Sequence, residues 1–288
     1  MAVHDPIRAP ILLITDLSAR CDRAMDRAAA LAKSHGVRLI ALHVVETPWL
    51  TKLADPTWRN MLQDSTEFAK QRLTDDPALA DVDLTVLVEP GNPLEVIEQV
   101  AKTNHCSLIV SGTARDETLG RIVLGNTVER LARRTPTPFL VVRSRPFTAY
   151  QNIVVATDFS DGASQALAYA RTVCPSTPMT LYHAFDQIAG IYELDSPTVA
   201  EETEALRART KQFGQSTLGL EANKFPIVIE HGAADHCLPE YVKAHRVELV
   251  VMGTHGATGV SRTAMGSIAE KLLSRVQCDV LLVPHANR

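Results

Sequence analysis

The run Gly253-Thr-His-Gly256, then nine residues, then Gly266-Ser267 has a glycine spacing suited to holding an anion. Glycine lets the backbone approach a ligand and adopt conformations closed to other residues. A helix starting at Ser267 would offer unpaired N–H groups and a partial positive field to a phosphate, with the serine hydroxyl as one more donor. The apolar run Val247 to Met252 precedes the loop and a helix-like run follows it, so strand, glycine loop and helix start stand in the order a phosphate cradle needs. No lysine precedes the serine, as a Walker A loop requires, and the spacing is not the GxGxxG of a dinucleotide site. An isolated loop of this kind can equally be a ligand-free connection, so its context decides.

That context is an internal repeat. Ile11-Leu-Leu-Ile-Thr-Asp16-Leu-Ser18 returns 142 residues later as Ile153-Val-Val-Ala-Thr-Asp158-Phe-Ser160. Leu108-Ile-Val-Ser-Gly112-Thr returns 141 residues later as Leu249-Val-Val-Met-Gly253-Thr, and Gly125 pairs with Gly266 at the same offset. His43 pairs with His183, and Gly91 with Gly232. Two copies of one domain, 1–146 and 147–288, account for the chain, joined at Arg143-Ser-Arg-Pro-Phe-Thr-Ala-Tyr150.

Each half reads as five strands alternating with helices. The first-half strands are expected at Ile11 to Thr15, Arg38 to Val45, Leu84 to Glu89, Ser107 to Ser111 and Phe139 to Val142. The second-half strands are expected at Ile153 to Thr157, Met179 to Phe185, Ile227 to His231, Glu248 to Met252 and Val280 to Val283. Short β-branched runs between longer amphipathic ones imply parallel strands covered by helices on both faces, an α/β fold. Ser18 and Ser160 are placed to cap the first helix of each half, and Pro93 and Pro239 are read early in the third helices, where proline is tolerated. The segment Thr198 to Leu218, with Glu201, Glu204, Arg207 and Lys211 at helical spacing, reads as a solvated, ion-paired face. The connections Glu46 to Pro56 and Asp186 to Pro197 read as surface loops.

With 288 residues, 45% of them hydrophobic, the chain is long enough for two ordinary cores. A net charge of −4 argues against nucleic acid as a partner. Five cysteines at no paired spacing read as reduced thiols. The N-terminus lacks a signal-peptide layout and no apolar run approaches the roughly 18 residues of a membrane span, so the expectation is a soluble, cytoplasmic protein.

The loop, with the aspartate that closes the first strand and the repeat that frames both, resembles the G-x2-G-x9-G-S/T signature of ATP-binding members of the universal stress protein family. The resemblance covers both halves, with the intact loop in the second. It implies an adenine nucleotide alpha hydrolase-like fold: two tandem open parallel five-stranded sheets, order 3-2-1-4-5, whose last strands pair so that the chain forms the family's dimer internally. A further homodimer and an unidentified protein partner are compatible with it. It implies ATP, or AMP or ADP, as ligand, with Mg²⁺ bridging phosphates that the protein does not fully contact. Residue by residue, Ala156, Thr157 and Asp158 would border the adenosine, Ala184 the base, and Met252 the loop entry. Gly253, Thr254, His255, Gly256, Gly266, Ser267 and Ile268 would form the phosphate loop and helix start. Asp158 can equally cap the following helix, and both roles can coexist.

The first half departs from the signature: Arg115 stands where the second glycine belongs and Asn126 where Ser/Thr belongs. Arg115 either blocks the backbone approach or supplies a cation. A degenerate first site with a structural role is the preferred reading. His255 reads as a polar loop residue rather than a base, because no orienting carboxylate is identifiable. His43 and His183 read as satisfied sheet-end histidines, and His231, His236 and Cys237 lack a fourth partner at zinc spacing. The function expected is a nucleotide-binding stress-response regulator with no catalytic residue assigned. The alternatives are a slow ATPase, for which no HxGH or SGGxDS string is present, and a nucleotide-independent adaptor.

Overall fold

The computed structural model describes residues 7–19, 21–46, 56–113, 117–118, 121–122, 126–146, 148–186, 197–255 and 265–285. In the first repeat the order is β1 (Ile11–Thr15), α1 (Asp22–His35), β2 (Leu39–Glu46), α2 (Pro56–Thr74), β3 (Leu84–Gly91), α3 (Pro93–Thr103) and β4 (Leu108–Gly112). A small hairpin, β5 (Glu117–Thr118) and β6 (Arg121–Ile122), comes next, followed by α4 (Asn126–Arg134) and β7 (Phe139–Val142). The second repeat runs β8 (Ile153–Ala156), α5 (Asp161–Val173), β9 (Met179–Phe185), α6 (Pro197–Leu218) and β10 (Ile227–His231). It ends with α7 (Ala234–His245), β11 (Leu249–Gly253), α8 (Ser267–Arg275) and β12 (Asp279–Val283).

Each repeat has the expected strand order, β3-β2-β1-β4-β7 and β10-β9-β8-β11-β12, all parallel within the repeat. The two sheets are not separate. β7 pairs antiparallel with β12, Leu281 opposite Leu140, and this joint makes one mixed ten-stranded sheet. The reason is in the residues: Phe139-Leu-Val-Val and Asp279-Val-Leu-Leu-Val are buried along their whole lengths, and two such edges left apart would expose unpaired backbone and apolar side chains.

Helices cover both faces. One core layer takes Ala24, Ala28 and Leu31 of α1 with Ala163, Leu167 and Ala170 of α5. The opposite layer takes Ile97 of α3, Leu131 of α4, Leu238 of α7 and Leu272 of α8.

Polar groups are buried at the seam between repeats. Asp279, at the start of β12, is fully buried and accepts from the backbone N–H of Arg143 (2.8 Å) and Ser144 (3.0 Å) and from the Tyr150 hydroxyl (2.6 Å). Arg27 of α1 lies 3.7 Å from the same carboxylate and 3.7 Å over the Tyr150 ring, and donates to the Thr148 carbonyl at 3.0 Å. Burial and the adjoining carboxylate push the Tyr150 hydroxyl pKa far up, so it remains a donor. The Arg143 guanidinium is lowered by burial to about 10 and stays charged at neutral pH.

Two local expectations, those for Ser18 and Pro239, meet corrections. Ser160 caps α5, accepting from the Ala163 N–H at 3.2 Å. Ser18 caps nothing: α1 begins at Asp22 with Cys21 as its N-cap, and the Ser18 N–H is drawn to the Asp16 carboxylate at 2.9 Å. Pro93 opens α3 behind the Asn92 cap, but Pro239 sits inside α7. A proline there leaves the carbonyl four residues back without its helical donor, and Arg275 supplies one, Nη1 to the Asp235 carbonyl at 2.9 Å. On α6, Arg207 and Glu204 pair at 3.6 Å, as the charge pattern implies. The Glu46 to Pro56 and Asp186 to Pro197 connections lie almost wholly outside the described residues.

Candidate nucleotide site in the second repeat

At the carboxyl end of the second repeat's strands, between β8, β9, β11 and the starts of α7 and α8, lies a cavity of about 340 Å³. It opens where strand order reverses between β8 and β11, the crevice in which open parallel sheets hold ligands. Ala156, Thr157, Asp158 and Ala184 line it from the strand ends. Met252, Gly253, Thr254 and His255 line it from the loop, and Gly266, Ser267 and Ile268 from the helix start. Gly256 lies outside the described residues, as do Arg115 and Gly125 of the first repeat.

The aspartate turn is built the same way in both repeats. Thr157 Oγ1 accepts from Phe159 N–H at 2.9 Å, and Thr15 Oγ1 from Leu17 N–H at 3.0 Å. Phe159 and Leu17 take left-handed backbone, φ 65° and 61°, an uncommon state for bulky residues. His183 and His43 hold the turn from the neighbouring strand, each ring Nδ1 donating to the threonine carbonyl, at 2.7 and 2.9 Å. Phe159 packs on the His183 ring at 4.4 Å, and the Arg209 guanidinium lies 4.3 Å over the Phe159 ring. Burial, reinforced by Arg209, keeps His183 below the ordinary imidazole pKa against the pull of the Thr157 carbonyl and Asp158. These are satisfied sheet-end histidines that fix where the aspartate stands. Asp158 itself is exposed at the cavity edge, with Oδ1 accepting from the Ser160 N–H at 3.1 Å and hydroxyl at 2.5 Å; it holds the serine that caps α5, and the cap itself is Ser160.

Gly253 and Gly162 explain the close floor. A Cβ on Gly253 would come within 2.9 Å of the Gly162 carbonyl carbon, and one on Gly162 within 2.8 Å of the His255 carbonyl oxygen. The start of α5 and the end of β11 thus touch backbone to backbone. Gly162 was not singled out from the sequence; its signal was a lone glycine just inside a helix, where alanine would be favoured.

The loop ends are tied together. Thr254 N–H donates to the Val283 carbonyl of β12 at 3.1 Å, and Gly266 N–H donates to the Thr254 carbonyl at 2.8 Å. Gly266 is the N-cap of α8 and carries no side chain to satisfy the first turn, whose N–H groups need another acceptor than the cap residue. Ala233 likewise caps α7 without a side-chain oxygen, whereas Asn92 caps the equivalent α3. His255 Nδ1 bonds Thr254 Oγ1 at 2.8 Å, and its buried Nε2 has no partner among the described residues.

Sequence reasoning missed Tyr182 and Leu238, which also line the cavity. The Tyr182 hydroxyl donates to Glu230 on the edge strand β10, and burial with that carboxylate raises its pKa far above the usual value. On the flank, Asp235 of α7 meets Arg275 at 2.9 Å and Lys271 at 3.3 Å. Burial pushes the Asp235 pKa up, but the two cations outweigh it and the carboxyl ends below its ordinary value. No group of three His, Cys, Asp or Glu is placed to hold a metal ion among the described residues. No described helix is long and apolar enough to cross a membrane. All five cysteines are free.

The fold is that of a tandem α/β protein, with a cavity at the strand ends of the second repeat. The universal stress protein family model matches residues 8–143 and again 149–284, and the chain belongs to that family. A universal stress protein of Mycolicibacterium smegmatis is 24% identical over 95% of this chain and 96% of its own length. The Thermus aquaticus "Universal stress protein in QAH/OAS sulfhydrylase 3'region" is 34% identical over 46% of this chain and 97% of its own. The crystal structure of a universal stress protein from Archaeoglobus fulgidus superposes with TM-score 0.71 at 20% identity, over 99% of this chain and 100% of that one; at that identity the likeness speaks for the fold.

Proposed function

We propose that the second repeat, 147–288 in our division, binds one adenine nucleotide, and that the chain works as a nucleotide-responsive regulator in the cytoplasm. The observation that carries this is the cavity itself together with its absence of bulk compared with the first repeat's equivalent positions. At about 340 Å³ it falls within the roughly 300–1,000 Å³ of small-molecule sites. Its strand walls are Ala156 and Ala184, where the first repeat has Ile14 and Val44 packed against the same core layer.

In this reading the base enters between Ala156, Ala184 and Met252, with Ile268, 54% exposed at the start of α8, as an apolar cover. Asp158 accepts from the adenosine hydroxyls. Phosphates sit on the first turn of α8, at Gly266, Ser267 and the loop amides, where open N–H groups and the helix dipole favour an anion. Because the described side chains form no metal site, Mg²⁺ would arrive with the nucleotide, held by phosphate oxygens and water.

Two experiments test the proposal. Mass spectrometry of small molecules released by denaturing purified protein is expected to find ATP, ADP or AMP. Placing the first repeat's arginine in the second loop, Gly256→Arg, is expected to remove nucleotide binding; unchanged stoichiometry in that variant would overturn the assignment.

A further inference from the structure

The helix that carries the open N-terminus, α8, is gripped by the other repeat at three points. The β6 strand of the first-repeat hairpin lies against it. Arg133 of α4 bridges Glu270 of α8 at 2.6 Å while also holding Glu129 on its own helix at 2.8 Å. Arg143, which follows β7 and is itself buried, donates to the carbonyls of Leu273 and Val276 at the far end of α8, and to that of Cys278 at 3.4 Å. A guanidinium fork at a helix C-terminus satisfies carbonyls that have no intrahelical donor and complements the dipole.

The grip is not symmetric. By the repeat offset of 141, the position matching Arg143 is Pro284 and the position matching Arg133 is Ser274. Proline has no side-chain donor, and serine is too short to span two helices. The first repeat therefore braces the ligand helix of the second, while the matching positions of the second repeat are not equipped to do the same in return. The hairpin comes from the stretch between Gly112 and Gly125, the segment that in the second repeat is the glycine loop.

We infer that the first repeat is a built-in positioning partner for the nucleotide site: its hairpin, Arg133 and Arg143 set the place of α8, so that affinity in the second repeat depends on contacts made by the first. This rests on the second repeat being the binding site. Arg133 and Arg143 are positioning groups, since neither is among the described residues that line the cavity. A change in how the two repeats pack, by a partner or by modification, would reach the phosphate end through α8.

The test uses the full chain. Three variants are compared with wild type: Arg133→Glu, Arg133→Glu with Glu270→Arg, and replacement of residues 117–122 by Gly and Ser. A fourth, Leu79→Ala, removes a buried side chain of the first repeat away from α8 and controls for general loss of stability. The first readout is amide hydrogen exchange of the first turn of α8 without ligand. The second is ATP affinity by calorimetry.

Arg133→Glu is expected to speed exchange in that turn and weaken ATP by about two- to fivefold, the range of a partly exposed ion pair. The reversed pair restores both, and the hairpin replacement acts in the same direction as Arg133→Glu. Leu79→Ala lowers the melting temperature without either effect. Unchanged exchange and affinity in both Arg133→Glu and the hairpin variant would overturn the inference. If wild type bound no nucleotide, the binding assignment would fall instead, and the exchange experiment would still decide the brace.

Discussion

Ala184→Val moves one first-repeat residue into the second repeat's crevice and separates a ligand cavity from ordinary core. Ala184 and Ala156 line the cavity from β9 and β8, and their counterparts are Val44 and Ile14. The substitution adds two methyl-sized carbons to a strand position that favours β-branching. In the free protein they find space, and burying them is worth up to about 0.8 kcal/mol each, so stability holds or rises by up to about 1–2 kcal/mol. With ligand present the same carbons occupy room the base needs. Each methylene-sized misfit in an apolar pocket is worth about 1–3 kcal/mol, which sets the expected loss of ATP affinity at tenfold or more. Urea denaturation gives the first number and calorimetry with ATP and magnesium the second. The reasoning is refuted if affinity stays within about twofold of wild type, or if affinity and stability fall together.

Other consequences can be checked separately. Gly162→Ala places a carbon 2.8 Å from the His255 carbonyl oxygen and is expected to cost about 1–3 kcal/mol in urea denaturation through overpacking; a neutral result would mean α5 and β11 do not touch as described. Asp279→Ala leaves the buried Arg27 guanidinium without its counter-charge and is expected to cost about 3–5 kcal/mol, with a loss under 1 kcal/mol contradicting the buried network. His183 has a depressed pKa, so the unfolded chain takes up its proton first as pH falls below the ordinary value of 6.5. Its contribution is complete above that value and is lost as pH drops towards the folded pKa, so His183→Asn should show a shallower stability loss than wild type as pH falls below 6.5. Asp235, also depressed, contributes above its ordinary 3.8 and loses that contribution as acid lowers pH through the folded pKa; Asp235→Asn should be destabilising at neutral pH and indistinguishable from wild type in strong acid.

The parts of the molecule legible in the sequence are those set by local pattern. Each strand run buried on both faces announced itself by β-branched residues, and strand bounds shifted by only a residue or two, as at Leu108–Gly112 and Leu249–Gly253. The Thr-Asp turn and its histidine could be placed because both copies carry them. What stayed hidden depends on partners distant in sequence. Nothing near Asp279 forecasts that Arg27 and Tyr150 meet it at a seam 129 or more residues away. Ser18 looked like Ser160, but α5 starts three residues after its aspartate and α1 six after its own, so the same residue types end in different roles. Pro239 looked like a helix opener because the guanidinium that makes an interior proline tolerable, that of Arg275, arrives from another helix. The cavity walls were readable only in part: Ala156 and Ala184 were chosen by resemblance, and the repeat alignment sets them against Ile14 and Val44, but that these positions wall one cavity needed the folded strands.

Titration of wild-type chain with ATP and magnesium in a calorimeter is the most direct test of the central claim that the second repeat alone encloses a nucleotide. One equivalent per chain is the result expected, reduced to none by Gly256→Arg. Two equivalents, or heat that survives that substitution unchanged, would contradict it.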